Sequence, residues 1–210
     1  MGIKERRLRE KEERRNTIVE SAKKVFLEKG IENATMKDVA AEAELSKAAL
    51  YLYFKNREEL TFELLHISFL KIKGLIQTAA EQESDGFHKL KAVGDAFMEF
   101  YRNEPEYIYF SLVIERYSYS IANNLPAAGR CLELLNEIQQ IIGDLLKEGV
   151  QDGSIRSDLD VEKTAVVFIH VATSFMQRVS TLQETFVKKE HYEPYELIEH
   201  MLTIFLYSLR

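Results

Sequence analysis

Residues 35–60 read TMKDVAAEAELSKAALYLYFKNREEL, a pattern that predicts two short helices joined by a tight turn, followed by the start of a third helix. Thr35 can cap the first helix, and Asp38 three positions later completes a capping box. Ser46 can cap a second helix over residues 47–54. Two short helices with a turn of three or four residues between them form a helix-turn-helix unit, whose second helix enters the major groove of DNA.

The second predicted helix has a core face and a polar face. Leu50 and Phe54 lie four residues apart and are expected in the core. The rest of the helix presents small, cationic or hydroxyl-bearing side chains: Lys47, Ala48, Ala49, Tyr51 and Tyr53. A solvated helix without a partner more often carries Glu and Gln, so this face is better suited to reading DNA.

Asn56 begins a long helical pattern that runs towards Gln82. Asn56 can cap this third helix, with Glu59 at the reciprocal position. Because no proline or Gly/Ser linker interrupts the pattern, we expect a continuous rigid helix that leaves the helix-turn-helix unit and enters the rest of the chain.

The first 30 residues add one more helix to this unit. Residues 16–29 have an amphipathic pattern, and Gly30 is a suitable C-cap. Residues 1–15 carry 7 basic and 4 acidic side chains. They are either a solvated start of the first helix or a basic arm that contacts phosphates or the minor groove, and both descriptions can hold together.

The composition indicates an all-α protein whose charge is divided unevenly. Among 210 residues there are 3 Pro and 9 Gly, and the net charge is −6. Residues 1–57 carry 14 Lys and Arg against 10 Asp and Glu, a net charge of +4, whereas the rest of the chain has a net charge of −10. Such asymmetry suggests that the basic part alone meets a polyanion.

The sequence provides no pattern for catalysis, metal binding or export. Cys131 is the single cysteine, which excludes an intrachain disulfide and fits a reducing cytoplasm. No signal peptide or membrane span is predicted, so we expect a cytoplasmic protein that does not enter a membrane. No zinc, nucleotide or nucleophile motif occurs, and we therefore expect no enzyme activity, cofactor or metal.

Residues 58–210 are predicted to form further helices. Helical patterns cover residues 87–102, a segment after Pro105, a segment ending near Gln151, residues 161–183 and residues 194–209. The last two patterns are apolar around much of their circumference and must be buried, either in the core of one chain or against a second subunit.

Aromatic residues are denser between Phe97 and Tyr119 than elsewhere, and two interpretations are open. They are either ordinary core or the lining of an apolar ligand cavity between helices, with hydroxyl, His or Arg groups that orient the ligand. The candidate lining residues are Phe97, Phe100, Tyr101, Phe110, Tyr117 and His170.

The stretch from Thr35 to Leu60 resembles the DNA-binding signature of TetR-family regulators. In that signature, T-x-x-x-[IV]-A leads to S-x-x-x-[LI]-Y-x-[YH]-F and then to a basic residue before E-x-L. The matching residues are Thr35, Val39, Ala40, Ser46, Leu50, Tyr51, Tyr53, Phe54, Arg57, Glu59 and Leu60.

The chain departs from the family at Glu44, where a turn glycine is usual. A non-glycine residue at positive φ is strained by roughly 1–3 kcal/mol, so the turn either bends differently or is held by the rest of the fold.

The resemblance implies roles for individual residues. Lys37 and Lys47 match positions that touch base edges or nearby phosphates, and Ala48 and Ala49 match positions that meet thymine methyl groups. Ser46 caps the reading helix. The positions that usually hold the DNA backbone are Thr35, Tyr51, Tyr53, Lys55 and Arg57. Tyr53 can instead pack inward, and Lys55 can instead be solvated.

The sequence therefore predicts two domains: a three-helix DNA-binding module with a basic arm at residues 1–57, and a helical domain at residues 58–210 for effector binding and dimerisation. The family resemblance implies a homodimeric transcriptional regulator, a repressor by family precedent, that a small-molecule effector releases from a near-palindromic operator in double-stranded DNA. The alternatives are a helical adaptor that uses the same shape to bind another protein, and a helical-bundle enzyme.

Overall fold

The computed structural model describes residues 2–116, 126–182 and 186–210, and these ranges contain helices and no strand. The helices are α1 (Ile3–Lys29), α2 (Met36–Glu42), α3 (Lys47–Tyr51), α4 (Arg57–Glu81), α5 (Gly86–Asn103), α6 (Glu106–Arg116), α7 (Pro126–Asp152), α8 (Val161–Thr181) and α9 (Pro194–Ser208). A π-helical segment, Phe186–Glu190, precedes α9. The predicted all-α fold is confirmed. Within the described ranges, no helix combines the length and the hydropathy that a bilayer span requires.

Helix α1 begins 13 residues earlier than the amphipathic pattern indicated, at Ile3 instead of Asn16. Neither Gly nor Pro interrupts this segment, and its Lys, Arg, Glu and Leu residues have high helix propensity. Ion pairs at i,i+4 spacing, Arg6–Glu10 and Arg9–Glu13, add to its stability. The predicted solvated start of the first helix is therefore helical.

Helix α3 is shorter than predicted and ends at Tyr51 instead of residue 54. The following amides bond at tighter spacing, with Tyr53 N donating to Leu50 O at 3.0 Å. The chain is then fully extended at Asn56 (φ −157°), which caps α4 by accepting a hydrogen bond from the amide of Glu59. Phe54 still reaches the core, where it is 1% exposed.

Helix α4 connects the two halves of the molecule, as predicted. It runs without a break from Arg57 to Glu81 and packs mainly on α5 and α7. Its first turns, including the buried Leu60, close the N-terminal module formed with α1, α2 and α3. Its later turns place Ile72 and Ile76 in the core of the C-terminal helices.

Helix α6 holds the C-terminal end of α1. The rings of Phe26 and Phe110 meet edge to face with centroids 6.5 Å apart. The hydroxyl of Tyr109 accepts a hydrogen bond from the amide of Ile31 at 2.8 Å. These contacts, one apolar and one polar, attach the N-terminal module to the C-terminal helices at a second place besides α4.

The carboxylate of Glu63 joins three helices. It lies in α4 and is 4% exposed. Two nitrogens of the Arg15 guanidinium, from α1, contact its two oxygens at 2.6 and 2.8 Å. Arg130 from α7 contacts the same carboxylate at 2.7 Å. Burial by itself raises the pKa of Glu63, but the hydrogen bonds and charge of Arg15, with the charge of Arg130, outweigh it and lower that pKa below its usual value.

His66 lies one turn after Glu63 on α4. Its Nδ1 atom is buried without a hydrogen-bond partner among the described residues. Burial lowers the pKa of His66, and the positive charges of Arg130 and Arg15 lower it further against the opposing effect of Glu63. The imidazole is therefore neutral near pH 7 and does not add a third cation to the Glu63 cluster.

Helices α5 and α7 approach closely at a pair of glycines. A Cβ atom added to Gly86 would lie 2.2 Å from the backbone nitrogen of Gly149. The contact is reinforced by hydrogen bonds from the amide of Gly86 to Asp152 and from the amide of Phe87 to Ser154. The C-terminal end of α7 and the loop after it thus cap the N-terminus of α5.

We predict that Glu63→Gln lowers the free energy of unfolding by roughly 2–3 kcal/mol at pH 7. The change leaves two guanidinium groups without their carboxylate, and breaking a fully buried pair costs about 3–5 kcal/mol. The expected loss is smaller because Arg15 and Arg130 are partly exposed. Denaturant unfolding measures it.

The effect of this substitution should depend on pH. Because the folded state lowers the pKa of Glu63, its stabilising contribution is complete above the unfolded-state pKa near 4.5 and is lost as the pH falls through the lower folded-state value. The wild type and the variant should therefore converge in stability in acid. Glu133→Gln, an exposed change on α7, is the control and should alter stability by less than about 0.5 kcal/mol. Equal effects of the two variants would contradict the role of Glu63.

Gly86→Ala should destabilise the fold by at least about 1–3 kcal/mol, because the new methyl group meets backbone that cannot rotate away. Gly143→Ala in α7 is the control: its Cβ has no atom within 4 Å, and alanine favours the helix by about 0.5–1 kcal/mol. Thermal unfolding should move in opposite directions for the two variants. A Gly86→Ala protein as stable as the wild type would exclude the close approach.

Candidate nucleic-acid interface and effector cavity

The N-terminus of α2 is fixed by the predicted capping box. The Thr35 hydroxyl accepts a hydrogen bond from the amide of Asp38 at 3.2 Å, and the Asp38 carboxylate accepts one from the amide of Thr35 at 2.9 Å. Hydrogen bonds from Lys29 and Thr35 hold the pKa of Asp38 well below its usual value. The cap leaves Lys37 exposed in the first turn of α2.

The turn between α2 and α3 has the left-handed geometry that usually needs glycine. Glu44 has φ +54°. The amide of Leu45 donates to the carbonyl of Ala40 at 2.8 Å, and the amide of Glu44 donates to that of Ala41 at 3.2 Å, which is the bonding pattern of a Schellman motif. Leu45 is half-buried against the core rather than fully buried. Hydrogen bonds and packing thus hold the turn without glycine.

Helix α3 exposes part of the face that the sequence predicted. Ser46 caps it by accepting a hydrogen bond from the amide of Ala49 at 3.1 Å, and Leu50 is fully buried. Lys47 and Ala48 are exposed, and Tyr51 is 43% exposed. The ammonium of Lys47 lies 5.7 Å from the centre of the Tyr51 ring, so a cation and a hydroxyl-bearing ring stand together on the open face.

The remaining predicted DNA contacts differ in how accessible they are. Lys55 is exposed, whereas Ala49 and Tyr53 are half-buried, and Tyr53 packs against the core as the second interpretation of that residue expected. Arg57 is also half-buried; its Nη1 donates to the carbonyls of Ile31 and Glu32, both at 2.7 Å. The structure thus gives Arg57 an internal role, and its phosphate contact stays a prediction.

Leu52 is an exposed residue that the sequence reasoning missed. Its side chain is 82% exposed directly after α3, beside Tyr51. A signal was available, because Leu52 stands between the core residues Leu50 and Phe54 and cannot share their face. A large apolar side chain held in solvent next to the helix that is predicted to read DNA is suited to contact thymine methyl groups.

A cavity of ≈ 100 Å³ lies among the C-terminal helices. Its walls come from α4, α5, α6, α7, α8 and α9, and all of its lining side chains are apolar except those of Tyr107 and Thr173. Burial, together with the effect of Cys131, raises the pKa of the Tyr107 hydroxyl well above its usual value, so that group stays neutral. The cavity is therefore suited to hydrocarbon and contains no charged lining group among the described residues.

Of the six residues predicted to line a cavity, Phe97 is on its wall. Phe100 packs behind Phe97. The centre of its ring lies 6.5 Å from that of Phe97 and 5.5 Å from that of Tyr107. Phe110 instead packs against Phe26 of α1. Tyr117 lies outside the described residues.

Tyr101 and His170 also lie away from the cavity. Tyr101 is hydrogen-bonded to Ser180, and its ring contacts the tilted ring of Tyr195, between α5, α8 and α9. His170 is exposed on α8, whereas its neighbour Ile169 lines the cavity. The pattern of aromatic residues located the right helices but not the faces of those helices, because aromatic density does not distinguish core contacts from a cavity wall.

The comparisons with known proteins agree with this arrangement. The profile of the family described as "Bacterial regulatory proteins, tetR family" matches residues 18–64, which include α2, α3 and the start of α4. The HTH-type transcriptional repressor BepR of Brucella suis is 23% identical over 166 residues, covering 78% of this chain and 79% of that protein. The repressor KstR2 of Mycolicibacterium smegmatis is 28% identical over 149 residues, covering 71% of each chain.

A solved structure extends the similarity over the C-terminal helices. The regulator FadR of Bacillus subtilis, in complex with stearoyl-CoA, aligns with a TM-score of 0.71 and 21% identity, covering 92% of this chain and 98% of that one. At this identity the likeness is one of fold. The capped helix-turn-helix unit and the matching profile lead to one conclusion: residues 18–64 match the TetR family of bacterial regulatory proteins, and the likeness of fold extends through the C-terminal helices.

Proposed function

We propose that the protein is a homodimeric transcriptional repressor that leaves a near-palindromic operator when an apolar effector enters the cavity among its C-terminal helices. One observation supports the proposal most directly: α4 is continuous from the cap at Asn56, five residues after the end of α3, to Ile72 and Ile76 on the cavity wall. A change at the cavity is thereby joined to the reading helix by a single rigid element.

In this proposal the exposed face of α3 reads the major groove. Lys47 donates to guanine O6 and N7, and Ala48 with Leu52 meets thymine methyl groups. Thr35, Tyr51 and Lys55 hold the phosphate backbone and set the register. The exposure of these side chains supports the assignment.

In the proposed dimer, the outer faces of α8 and α9 form the interface between the two subunits. Large apolar side chains are exposed there: Val166, Val167, Val171, Ile204 and Tyr207. Other residues of the same helices, such as Met176 and Ile198, are buried within the chain, so the two helices are apolar on both faces. A two-fold dimer places two reading helices one DNA turn apart, about 34 Å.

The effector is proposed to be a molecule with a long neutral hydrocarbon part. The cavity lining supports this class, and the similar FadR of Bacillus subtilis was solved with stearoyl-CoA. The volume of ≈ 100 Å³ is small beside the roughly 300–1,000 Å³ of a typical ligand pocket. A larger effector must widen the cavity, and it favours the state in which α4 has moved, so that its binding is linked to DNA release.

The repressor proposal is preferred over the two alternatives. Similarity to BepR and KstR2, both transcriptional repressors, favours a DNA-binding regulator over a helical adaptor. A bundle enzyme would need a reactive constellation, and the described residues group no three metal-binding side chains.

We expect Lys47→Ala and Tyr51→Ala each to lose binding to the operator while leaving the fold intact. Every protomer loses a contact to a base or phosphate, and a good base contact is worth about 1–3 kcal/mol. The measurement is fluorescence anisotropy with the intergenic DNA upstream of the gene, at several salt concentrations. Lys91→Ala, an exposed change on α5, is the control and should bind like the wild type. Unchanged affinity of either α3 variant would contradict the assigned reading face.

Gly94→Leu should block the effector without unfolding the protein. Gly94 lines the cavity, and a Cβ atom there has nothing within 4 Å, so leucine extends into the empty volume. Leucine also favours the helix over glycine by roughly 0.5–1 kcal/mol. With stearoyl-CoA as the first probe, release from DNA should need about tenfold more probe for the variant, since one cavity-filling side chain is worth 1–3 kcal/mol. If both proteins leave the DNA at the same probe concentration, the effector does not bind in this cavity.

A further inference from the structure

The first three turns of α1 extend away from the module as an exposed helix rich in charge. All of the residues from Gly2 to Arg14 are exposed. On one side of this segment the charges neutralise each other, since Arg6 lies 2.7 Å from Glu10 and Arg9 lies 3.6 Å from Glu13. The other basic residues are arranged differently.

Four cations form one stripe on this helix, and none has an ion-pair partner within the part of the chain that the structure describes. They are Lys4, Arg7, Lys11 and Arg14, which we call the α1 stripe. Their spacing of three, four and three residues puts them on one helical face. With a rise of 1.5 Å per residue, the stripe is about 15 Å long. Unpaired cations at this density repel one another unless a polyanion lies against them.

The stripe is continuous with the face of α1 that packs on the reading module. Ile18, Ala22 and Val25 continue the same helical spacing and are buried where α1 meets α2 and α4. Arg15 lies beside the stripe, and its guanidinium carbon is 4.9 Å from the centre of the Phe54 ring. Phe54 follows the end of α3 by three residues. The stripe therefore extends from the side of α1 that carries the helix-turn-helix unit, beyond the edge of that unit.

We propose that the α1 stripe binds the phosphate backbone of DNA outside the bases that α3 reads. The proposal rests on the proposed function and adds a second contact area to it. The contact is with phosphates rather than minor-groove bases, because a helix about 10–12 Å across does not fit a groove about 6 Å wide. A stripe of about 15 Å spans four to five base pairs at about 3.4 Å each, so it extends the protected DNA by that length on each side.

Two double variants of the same helix test the proposal. Arg7→Gln with Lys11→Gln removes two unpaired cations of the stripe, and Arg6→Gln with Arg9→Gln removes two cations that are paired off the stripe. Both lower the net charge of a protomer by two units. Binding to a 30-base-pair duplex of mixed sequence is measured from about 50 to 200 mM salt, because a phosphate contact needs no operator.

The stripe variant should show a salt-dependence slope smaller by about 1.8 per protomer, two contacts at about 0.9 each, and roughly tenfold weaker binding at low salt. The control pair should keep the wild-type slope. Equal losses in both variants would mean that only net charge matters, and an unchanged slope in the stripe variant would exclude the contact; either result overturns the proposal.

The outcome is separable from that of the proposed function. Operator binding that depends on Lys47 and Tyr51 would support the repressor function. If both double variants nevertheless show identical salt-dependence slopes, the repressor function stands and the stripe contact is excluded. Stripe-dependent binding to vesicles of anionic phospholipid, with no effect on DNA, would assign the stripe to a membrane surface and overturn the proposal.

Discussion

The Glu63 carboxylate is the constraint on which the arrangement of the two halves depends. Buried in α4, it needs positive partners, and it takes one from each side: Arg15 of α1 and Arg130 of α7. A buried carboxylate without those partners is costly, so α1 and α7 are both held in a defined position against α4. Apolar packing alone would tolerate sliding of these helices, whereas two charged hydrogen-bonded contacts do not.

This constraint gives the proposed switch a physical basis. Helix α7 contributes both to the cavity wall, through Leu135, Ile138 and Ile142, and to the Glu63 cluster, through Arg130. An effector that separates α7 from α4 at the cavity therefore strains a contact that also holds α1. The contacts of α6 with Phe26 and Ile31 provide a second route to the same module. In the proposed switch, these two routes couple α3 to the position of the whole C-terminal bundle.

The turn at Glu44 illustrates a local preference overruled by its surroundings. A left-handed residue other than glycine costs roughly 1–3 kcal/mol, yet the Schellman hydrogen bonds of Leu45 and Glu44 close the end of α2 in the usual way. The capping box at Thr35, the N-cap at Ser46 and the burial of Val39 and Leu50 fix the two helices that the turn connects. The geometry of the turn is thus set by the helices, and the residue at its apex adapts to it.

The sequence by itself determined the elements whose cause is local. The caps at Thr35, Ser46 and Asn56, the core positions of Leu50 and Phe54 and the continuous α4 follow from hydrogen-bonding groups and apolar spacing within a few residues. Tertiary structure decided the rest, because it depends on residues that are distant in the chain. Arg57 is drawn to the carbonyls of residues 31 and 32, Glu63 is placed between two arginines, and Phe110 faces α1 while Phe97 faces the cavity. Periodicity indicates that a side chain is buried, but only the packing of helices determines what it is buried against.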